Sequence, residues 1–182
     1  MLYSTFPTTP DLLFCNLRGT ISKQLRPGRQ EDAHEFLRYL LDAFQMSALK
    51  HEKKKTTIVH KIWGGYLRSQ VKCCACGKES NTYDSILDLS LEMKDCSVTE
   101  ALKHFTAKES LEGNNKYFCK QCNTLQKAIK QLTIFEPPNV LVLHLKRFQY
   151  ESERESSRLR DITSTKINRF VSFDSELDIT SL

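Results

Sequence analysis

The sequence lacks any long apolar run, and no stretch approaches the roughly 18 consecutive apolar residues that a membrane-spanning helix requires. Its first residues, Met1 to Pro7, contain no basic residue and no continuous apolar segment, so we expect no signal peptide. An odd count of seven cysteines argues against a framework of disulfide bonds. We therefore expect no membrane partner and a reducing compartment, either cytoplasm or nucleus.

The sequence also lacks the interleaved basic and aromatic residues that typify nucleic-acid-binding surfaces. The net charge is only +5, and the densest basic run, Lys53 to Lys55, is typical of a solvated loop. We therefore expect no nucleic-acid partner. Hydrophobic residues at 40% and charged residues at 27% are ordinary globular values. A chain of 182 residues can thus form one domain with a core, or a core with an appendage.

Two cysteine pairs are the most informative feature that is present. Cys73 and Cys76 form one C-x-x-C hook, and Cys119 and Cys122 form a second. Four thiolates in two such hooks are the ligand set of a tetrahedral structural zinc site. The sequence therefore predicts a metal that joins two distant segments of the chain.

Turn-forming residues come after each hook, since Gly77 is next to the first and Asn123 is next to the second. Two alternatives stay open: reduced, buried cysteines that pack as small apolar residues, and a redox dithiol, for which one hook would suffice. Cys74 should point away from a metal because it lies between two ligands. Cys15 and Cys96 stand alone in the sequence.

A strongly amphipathic helix is predicted from Gln30 to near Lys50. Its apolar residues recur at the spacing of one helix face, and the acidic residues Glu31 and Asp32 in the first turn suit the positive end of the helix dipole. The apolar positions are Ala33, Phe36, Leu37, Leu40, Leu41 and Phe44.

Alternating patterns predict strands after this helix. Residues 58–72 alternate well enough to be strands that are broken or bulged at Gly64–Gly65. Ile86–Met93 alternates strictly between apolar and polar residues, as in a half-buried strand. Ser97–Glu100 matches a capping box, with Ser at the cap and Glu at the third helical position. It should open a short helix through Phe105.

The last third of the chain is predicted to form strands separated by one loop. Ala128–Phe135 predicts a strand that ends at Pro137–Pro138. Val140–Phe148 is nearly all apolar, as expected of a central strand covered on both faces. Glu151–Asp161, rich in charge and serine, predicts a mobile loop, and Ile167–Phe173 predicts a final strand. The fold class is therefore α+β.

Three of these segments together resemble the ubiquitin-specific proteases, a large family of cysteine-type deubiquitinases. Gln30–Phe36, with the sequence QEDAHEF, resembles the glutamine box of that family. Val140–Tyr150 is similar to the family's strand after its Pro-Pro turn. The two hooks fall between these motifs in the order of the family's zinc-bearing fingers, and Gly64–Leu67 and Ser80–Met93 fit as well.

The resemblance implies a papain-like fold of thumb, palm and fingers, in which a zinc-stapled antiparallel sheet grips ubiquitin. Residues 1–182 would be one incomplete catalytic domain. Within it, residues 1–29 would be a lead-in, 30–52 the thumb helix, 58–135 the zinc fingers region and 136–182 a partial palm.

The implied reaction is attack of a cysteine thiolate on the isopeptide carbonyl after ubiquitin's terminal glycine, with a histidine as base. The family's nucleophile lies in an Asn-Thr-Cys segment far upstream of the glutamine box, and Cys15 lacks that context. The family's base lies in a Gly-His-Tyr segment that is absent between Phe148 and Leu182. His144, inside a predicted buried strand, is interpreted as a core residue rather than a base. We therefore expect no catalytic residue in this chain.

What the resemblance assigns to this chain is the binding of ubiquitin. Asp32 and Glu35 match the carboxylates that bind ubiquitin's basic, extended tail, and Gln30 and Phe148 match positions near it. The alternatives are that the acidic residues only complement the helix dipole, as Glu31 would, and that Phe148 is a core aromatic. The expected partners are ubiquitin and ubiquitinated proteins, and the expected cofactor is a structural zinc ion.

Three hypotheses about function remain at this point. The chain is a segment of a deubiquitinating protease, or it is a catalytically inactive ubiquitin-binding module. Alternatively, it is a zinc-ribbon interaction domain whose resemblance to a protease is incidental. Salt-sensitive binding to single-stranded nucleic acid would favour the third.

Overall fold

The computed structural model describes residues 17–26, 28, 31–51, 56–94, 96–151 and 163–180. It divides the chain into two compact units, Met1–Ile62 and Trp63–Leu182. The first unit contains a π-helical turn, Leu17–Ile21, and the helix α1, Ala33–His51; the short helix α2, Ile58–Trp63, comes next and ends just beyond it. Over its described residues, the second unit contains the helix α3 and ten strands: β1 Gly65–Cys73, β2 Glu79–Ile86, β3 Leu89–Glu92, α3 Val98–Phe105, β4 Glu109–Leu111, β5 Tyr117–Cys119, β6 Thr124–Gln126, β7 Ala128–Glu136, β8 Leu143–Lys146, β9 Phe148–Glu151 and β10 Thr163–Lys166.

The predicted amphipathic helix is confirmed as α1. Asp32 precedes it, and one oxygen of its carboxylate accepts hydrogen bonds from the backbone amides of His34 at 2.7 Å and Glu35 at 3.1 Å. These bonds satisfy two of the amide donors that a helix N-terminus leaves without partners. Leu41, on the apolar face, is buried. Gln30 lies outside the described residues.

The strand prediction for residues 58–72 was wrong in its first half, because Ile58–Trp63 forms α2. Thr57 caps this helix: its hydroxyl accepts a hydrogen bond from the amide of His60 at 3.2 Å, and its carbonyl accepts from Lys61 at 3.0 Å. Val59 is buried in a short helix rather than an alternating strand. A helix of six residues is too short for the period of its apolar residues to distinguish it from a strand.

The largest sheet of the second unit has the strand order β2-β1-β7-β4, and all of its pairs are antiparallel. The predicted break at Gly64–Gly65 is the boundary between α2 and β1. A bulge that was not predicted lies in the partner strand: Leu67 pairs with Ile134 but Tyr66 pairs with Glu136, so Phe135 is one extra residue in β7. At this point the backbones of β1 and β7 are so close that a Cβ on Gly65 would lie 2.6 Å from the carbonyl oxygen of Glu136. Glycine at this position avoids that clash.

The core of the second unit lies between β3, β8 and α3. Helix α3 confirms the predicted helix, but the side chain of Ser97, its N-cap residue, makes no capping hydrogen bond. Glu100 instead forms an ion pair with Lys103 at 2.7 Å. The predicted capping box was therefore wrong, because the side chain of Ser97 does not cap the helix. The strand predicted for Ile86–Met93 is present only as β3, Leu89–Glu92, and its alternation is confirmed at the buried residues Leu89, Leu91 and Met93. The buried cluster comprises Leu67, Leu89, Leu91, Met93, Val98, Ala101 and Leu102.

The long central strand predicted for Val140–Phe148 was wrong. Leu143–Lys146 forms the strand β8, which pairs in parallel with β3 in a two-stranded sheet of the described residues, and Phe148 already belongs to β9. Val140 is exposed and Leu143 is half-buried. The apolar composition predicted a central strand with neighbours on both sides. Among the described residues, β8 has one neighbouring strand, β3. His144 is half-buried, with Nδ1 2.9 Å from the hydroxyl of Ser90.

The final strand predicted for Ile167–Phe173 was also wrong, since its only strand-like pairing among the described residues is one bridge between Ser172 and Ser97. Backbone and side-chain hydrogen bonds hold the segment: the amide of Ile167 donates to the carbonyl of Arg147, and that of Ser172 to the carbonyl of Cys96, both at 2.7 Å. Arg147 donates hydrogen bonds to the carbonyls of Ile167 and Arg169, at 3.1 and 2.6 Å. Strands β9 and β10 pair just before this segment. Between them, the predicted loop lies outside the described residues from 152 to 161.

Candidate functional site

The two cysteine hooks form the same turn. Gly77 has φ of +71° and Asn123 has φ of +54°, the left-handed backbone that the sequence predicted at both positions. The amide of Gly77 donates to the carbonyl of Cys73 at 3.0 Å, and the amide of Asn123 donates to that of Cys119 at 2.8 Å. Each turn thus holds the two cysteines of its hook on one side of the chain.

Strand pairing brings the hooks together. Cys73 is the last residue of β1 and lies opposite Ala128, the first residue of β7. The amide of Cys74, inside the first hook, donates to the carbonyl of Lys127 at 2.9 Å. Cys119 ends β5, and the β5–β6 hairpin presents the second hook. The hooks therefore meet at the end of the four-stranded sheet.

The four sulfur atoms lie within 4.8 Å of one another. The Sγ atoms of Cys73 and Cys122 are 4.0 Å apart, and those of Cys76 and Cys119 are 3.6 Å apart. A tetrahedral zinc–thiolate site with Zn–S bonds of about 2.3 Å has sulfurs about 3.8 Å apart. Cys73 and Cys119 are each only 1% exposed. The arrangement therefore fits a small tetrahedral metal ion.

The electrostatics of the cluster favour a thiolate. A hydrogen bond from the backbone amide of Cys76 lowers the pKa of Cys73 to about 7. The hydrogen bond between the thiol of Cys122 and Cys76 raises the pKa of Cys122 to about 12. The cluster thus stabilises one negative charge while the other thiol keeps its proton. A divalent cation would displace such protons, since metal ligands must be deprotonated.

An ion pair joins two residues that flank the second hook in sequence. Lys127 lies 2.6 Å from Glu112, and this lysine is the residue whose carbonyl accepts from Cys74. Its ammonium lowers the pKa of Glu112, and Glu112 in turn raises that of Lys127.

The remaining described cysteines, Cys74 and Cys96, are exposed and outside the cluster. Cys15 lies outside the described residues.

Asp32 is exposed, and its hydrogen bonds to the amides of His34 and Glu35 make it the cap of α1. The alternative that this acidic residue serves the start of the helix is therefore supported, because its carboxylate caps α1. A cap uses one carboxylate oxygen here and leaves the negative charge in place. A role for Asp32 in binding stays a prediction.

Glu35 is also exposed, on the first turn of α1. One of its oxygens accepts a hydrogen bond from the hydroxyl of Tyr39 at 3.0 Å, and this bond raises the pKa of Tyr39. The same hydroxyl also contacts the side-chain oxygen of Gln24. Tyr39 orients the carboxylate that the sequence singled out. Its i, i+4 spacing from Glu35 was the available signal.

Phe148 begins β9, opposite Lys166, and is 54% exposed. The alternative that this residue is a core aromatic is therefore wrong for the described part of the chain. An exposed aromatic side chain is available for a partner. Its assignment to the ubiquitin tail, like that of Gln30, stays a prediction.

The chain matches the family model described as ubiquitin carboxyl-terminal hydrolase over residues 5–182. It is 47% identical over 149 residues to "Probable ubiquitin carboxyl-terminal hydrolase 16" of Schizosaccharomyces pombe, covering 79% of this chain and 33% of that protein. It is 42% identical over 166 residues to "Ubiquitin carboxyl-terminal hydrolase 42" of Homo sapiens, covering 87% of this chain and 12% of that protein.

Solved structures agree with these relatives. The chain superposes with a TM-score of 0.76 and 35% identity on a chain of the SAGA Ubp8/Sgf11/Sus1/Sgf73 DUB module bound to ubiquitin aldehyde. The match covers 93% of this chain and 36% of that one. The chain thus spans about a third or less of the length of these proteins. Among the described residues, no helix has the length and apolar character needed to cross a membrane.

Proposed function

We propose that this chain, which belongs to the ubiquitin carboxyl-terminal hydrolase family, supplies the ubiquitin-gripping part of a cysteine-type deubiquitinase. The reaction is hydrolysis of the isopeptide bond at the C-terminus of ubiquitin by a cysteine thiolate. The observation that carries the proposal is the meeting of the two hooks at the end of an antiparallel sheet. A similar chain belongs to a module bound to ubiquitin aldehyde, which supports ubiquitin as the partner.

The proposed cofactor is a structural zinc ion held by Cys73, Cys76, Cys119 and Cys122. Four cysteine ligands leave no open coordination position for a substrate or a water molecule. The ion would therefore fix the end of the sheet and take no part in the reaction. The sulfur spacing, the two left-handed turns and the lowered pKa of Cys73 all support this assignment.

The proposed grip on ubiquitin's tail uses the carboxylates at the start of α1. The tail is basic and extended, so exposed carboxylates are the groups that bind it. Asp32 is held by the helix amides and Glu35 by Tyr39. Fixed side chains lose less conformational freedom on binding than mobile ones. Gln30 and Phe148 are the further contacts proposed from the family motif.

We assign the nucleophile and the base to no described residue, and the chain by itself is proposed to bind ubiquitin without cleaving its conjugates. The partners are ubiquitin and ubiquitinated proteins, in the cytoplasm or the nucleus. A ubiquitin probe with a thiol-reactive group at its C-terminus should form no covalent adduct with the chain. An adduct that is lost on Cys15→Ala would instead assign the nucleophile to this chain.

Binding of ubiquitin to the chain and its variants tests the grip. Asp32→Asn removes the charge but keeps an equally good helix cap, and Glu35→Gln keeps the size of the side chain. We expect each variant to weaken binding about tenfold, because hydrogen bonds between charged groups are the strong ones. Glu31→Gln is the matched control, since this exposed carboxylate lies outside the predicted pair. Equal loss in all three variants would indicate a general charge effect, and no loss would contradict the tail site.

A further inference from the structure

Two exposed aromatic side chains meet above the four-stranded sheet. The rings of Tyr83 and Phe135 are 4.7 Å apart at an interplanar angle of 64°, an edge-to-face contact. Tyr83 lies on β2 and Phe135 on β7, and β1 runs between these strands. Neighbouring strands are about 4.8 Å apart, so the two backbones are about twice that distance from each other. Both rings must therefore lean over β1.

The extra residue in β7 places the second ring. Phe135 has no counterpart in β1, because Leu67 pairs with Ile134 and Tyr66 with Glu136. A bulge bends its strand and re-aims the side chain of the inserted residue. Tyr83 is 51% exposed and Phe135 is 56% exposed. The bulge thus creates an exposed aromatic pair on one face of the sheet.

Two buried polar atoms lie on the same face of the sheet as this pair. Arg68 in β1 is directly opposite Tyr83 on one side and Thr133 on the other. The Nε atom of Arg68 and the hydroxyl oxygen of Thr133 are both buried and have no hydrogen-bond partner within the described part of the chain. No ion pair within the described ranges includes Arg68. Buried polar groups without partners are rare in folded proteins, and each calls for a physical explanation.

We propose that Tyr83, Phe135, Arg68 and Thr133 form a docking surface for one acidic side chain on the folded body of ubiquitin. Its carboxylate would accept from Arg68 and from the hydroxyl of Thr133, and apolar groups beside it would pack on the two rings. Tyrosine and arginine are the residues most enriched among those that dominate binding energy at interfaces. The inference rests on the proposed function, because it takes ubiquitin as the partner.

The rings would separate to admit the carboxylate. Half-exposed side chains change rotamer rapidly, and breaking one aromatic contact costs about as much as leaving a buried donor without a partner. The partner's carboxylate would supply the acceptor that Arg68 lacks. In the free chain, the Nε atom of Arg68 is buried and has no acceptor within the described part of the chain.

The test is the affinity of ubiquitin for the full 182-residue chain, measured by calorimetry. Arg68→Met keeps the apolar stem of the side chain but removes the charge, and we expect it to weaken binding about tenfold. Tyr83→Ala and Phe135→Ala should each weaken binding about fivefold or more. Phe118→Ala is the matched control, because Phe118 is a similarly exposed aromatic, at 52%, on the β5–β6 hairpin. It should bind as the wild type does.

Two further measurements separate docking from a structural role. Arg68→Met should leave the thermal midpoint unchanged or raise it, since it removes a buried group without a partner. In a scan of ubiquitin's acidic residues to alanine, one position should weaken binding to the wild type but not to Arg68→Met.

Wild-type affinity in Arg68→Met, or the absence of any coupled acidic position, would overturn this inference. If ubiquitin binds and depends on Glu35 but not on Arg68, only the docking surface fails and the proposed function stands. If ubiquitin does not bind the wild-type chain, both fail.

Discussion

Replacing one cluster cysteine, Cys119→Ser, should remove the bound metal and unfold the end of the four-stranded sheet. Cys119 is 1% exposed, and its sulfur is 3.6 Å from that of Cys76. Serine is a poor zinc ligand, so three thiolates would remain. Cys74→Ser is the matched control in the same hook, because Cys74 is exposed and outside the cluster.

The expected magnitude is large. Structural zinc sites contribute about 10–16 kcal/mol of folding free energy at neutral pH, while whole domains are stable by only about 5–15 kcal/mol. Without metal, the second hook depends on a hairpin of three residue pairs, from Tyr117 paired with Gln126 to Cys119 paired with Thr124. An isolated two-stranded hairpin is marginally stable at best. The β1–β7 ladder is much longer, so we expect the loss to be concentrated at the hooks.

Hydrogen exchange read by mass spectrometry, with zinc content measured in parallel, is the appropriate assay. In Cys119→Ser, the amides of Gly77 and Asn123 should lose protection, and chelation of the wild type should cause the same loss. The amide of Leu102, in the core, should keep its protection. One zinc per chain with unchanged exchange in Cys119→Ser would refute the four-cysteine site. Equal metal loss in Cys74→Ser and Cys119→Ser would refute the ligand assignment.

Four further outcomes are expected. Asp32→Ala should lower stability by about 1 kcal/mol through loss of the helix cap, and Asp32→Asn should not; equal thermal midpoints for the two would contradict the cap. Gly65→Ala should cost about 1–3 kcal/mol in urea unfolding, because a Cβ there would be 2.6 Å from a backbone carbonyl. Leu102→Ala, at 0% exposure, should cost about 2–5 kcal/mol, and a near-neutral effect would place Leu102 outside the core. Lys127 lowers the pKa of Glu112, so their pair stabilises the fold at neutral pH and is lost as the pH falls below Glu112's ordinary value of 4.5. Thermal midpoints of wild type and Glu112→Gln should therefore converge in acid, and a constant difference would contradict this.

The features predicted correctly from sequence are those fixed by local chemistry. Left-handed turns at Gly77 and Asn123 require residues that tolerate positive φ, and the sequence places such residues there. The helix α1 has enough turns for its apolar period to be unambiguous. The six-residue helix after Thr57 and the four-residue strand β8 are too short for their patterns to indicate the right structure.

The candidate site was predicted only in part for a related reason. The four cluster cysteines are recognisable because their spacing within each hook is itself the signal. The neighbours of Arg68 are set by the register of three strands, including one extra residue in β7, and no local pattern encodes them. The i, i+4 spacing of Glu35 and Tyr39 was a signal for their hydrogen bond, but the sequence analysis placed Asp32 in the first turn of α1 and did not identify it as the helix cap.

The extra residue in β7 has a consequence for how the sheet tolerates changes in length. Pairing on the hook side of Phe135, down to Cys73 opposite Ala128, does not depend on the register beyond the bulge. Deleting Phe135 would leave Glu136 opposite Tyr66 and Ile134 opposite Leu67, so the ladder would become regular while the metal ligands stay in place. The bulge is therefore a local feature: it adds one exposed aromatic side chain to the sheet, and the register that brings the two hooks together does not depend on it.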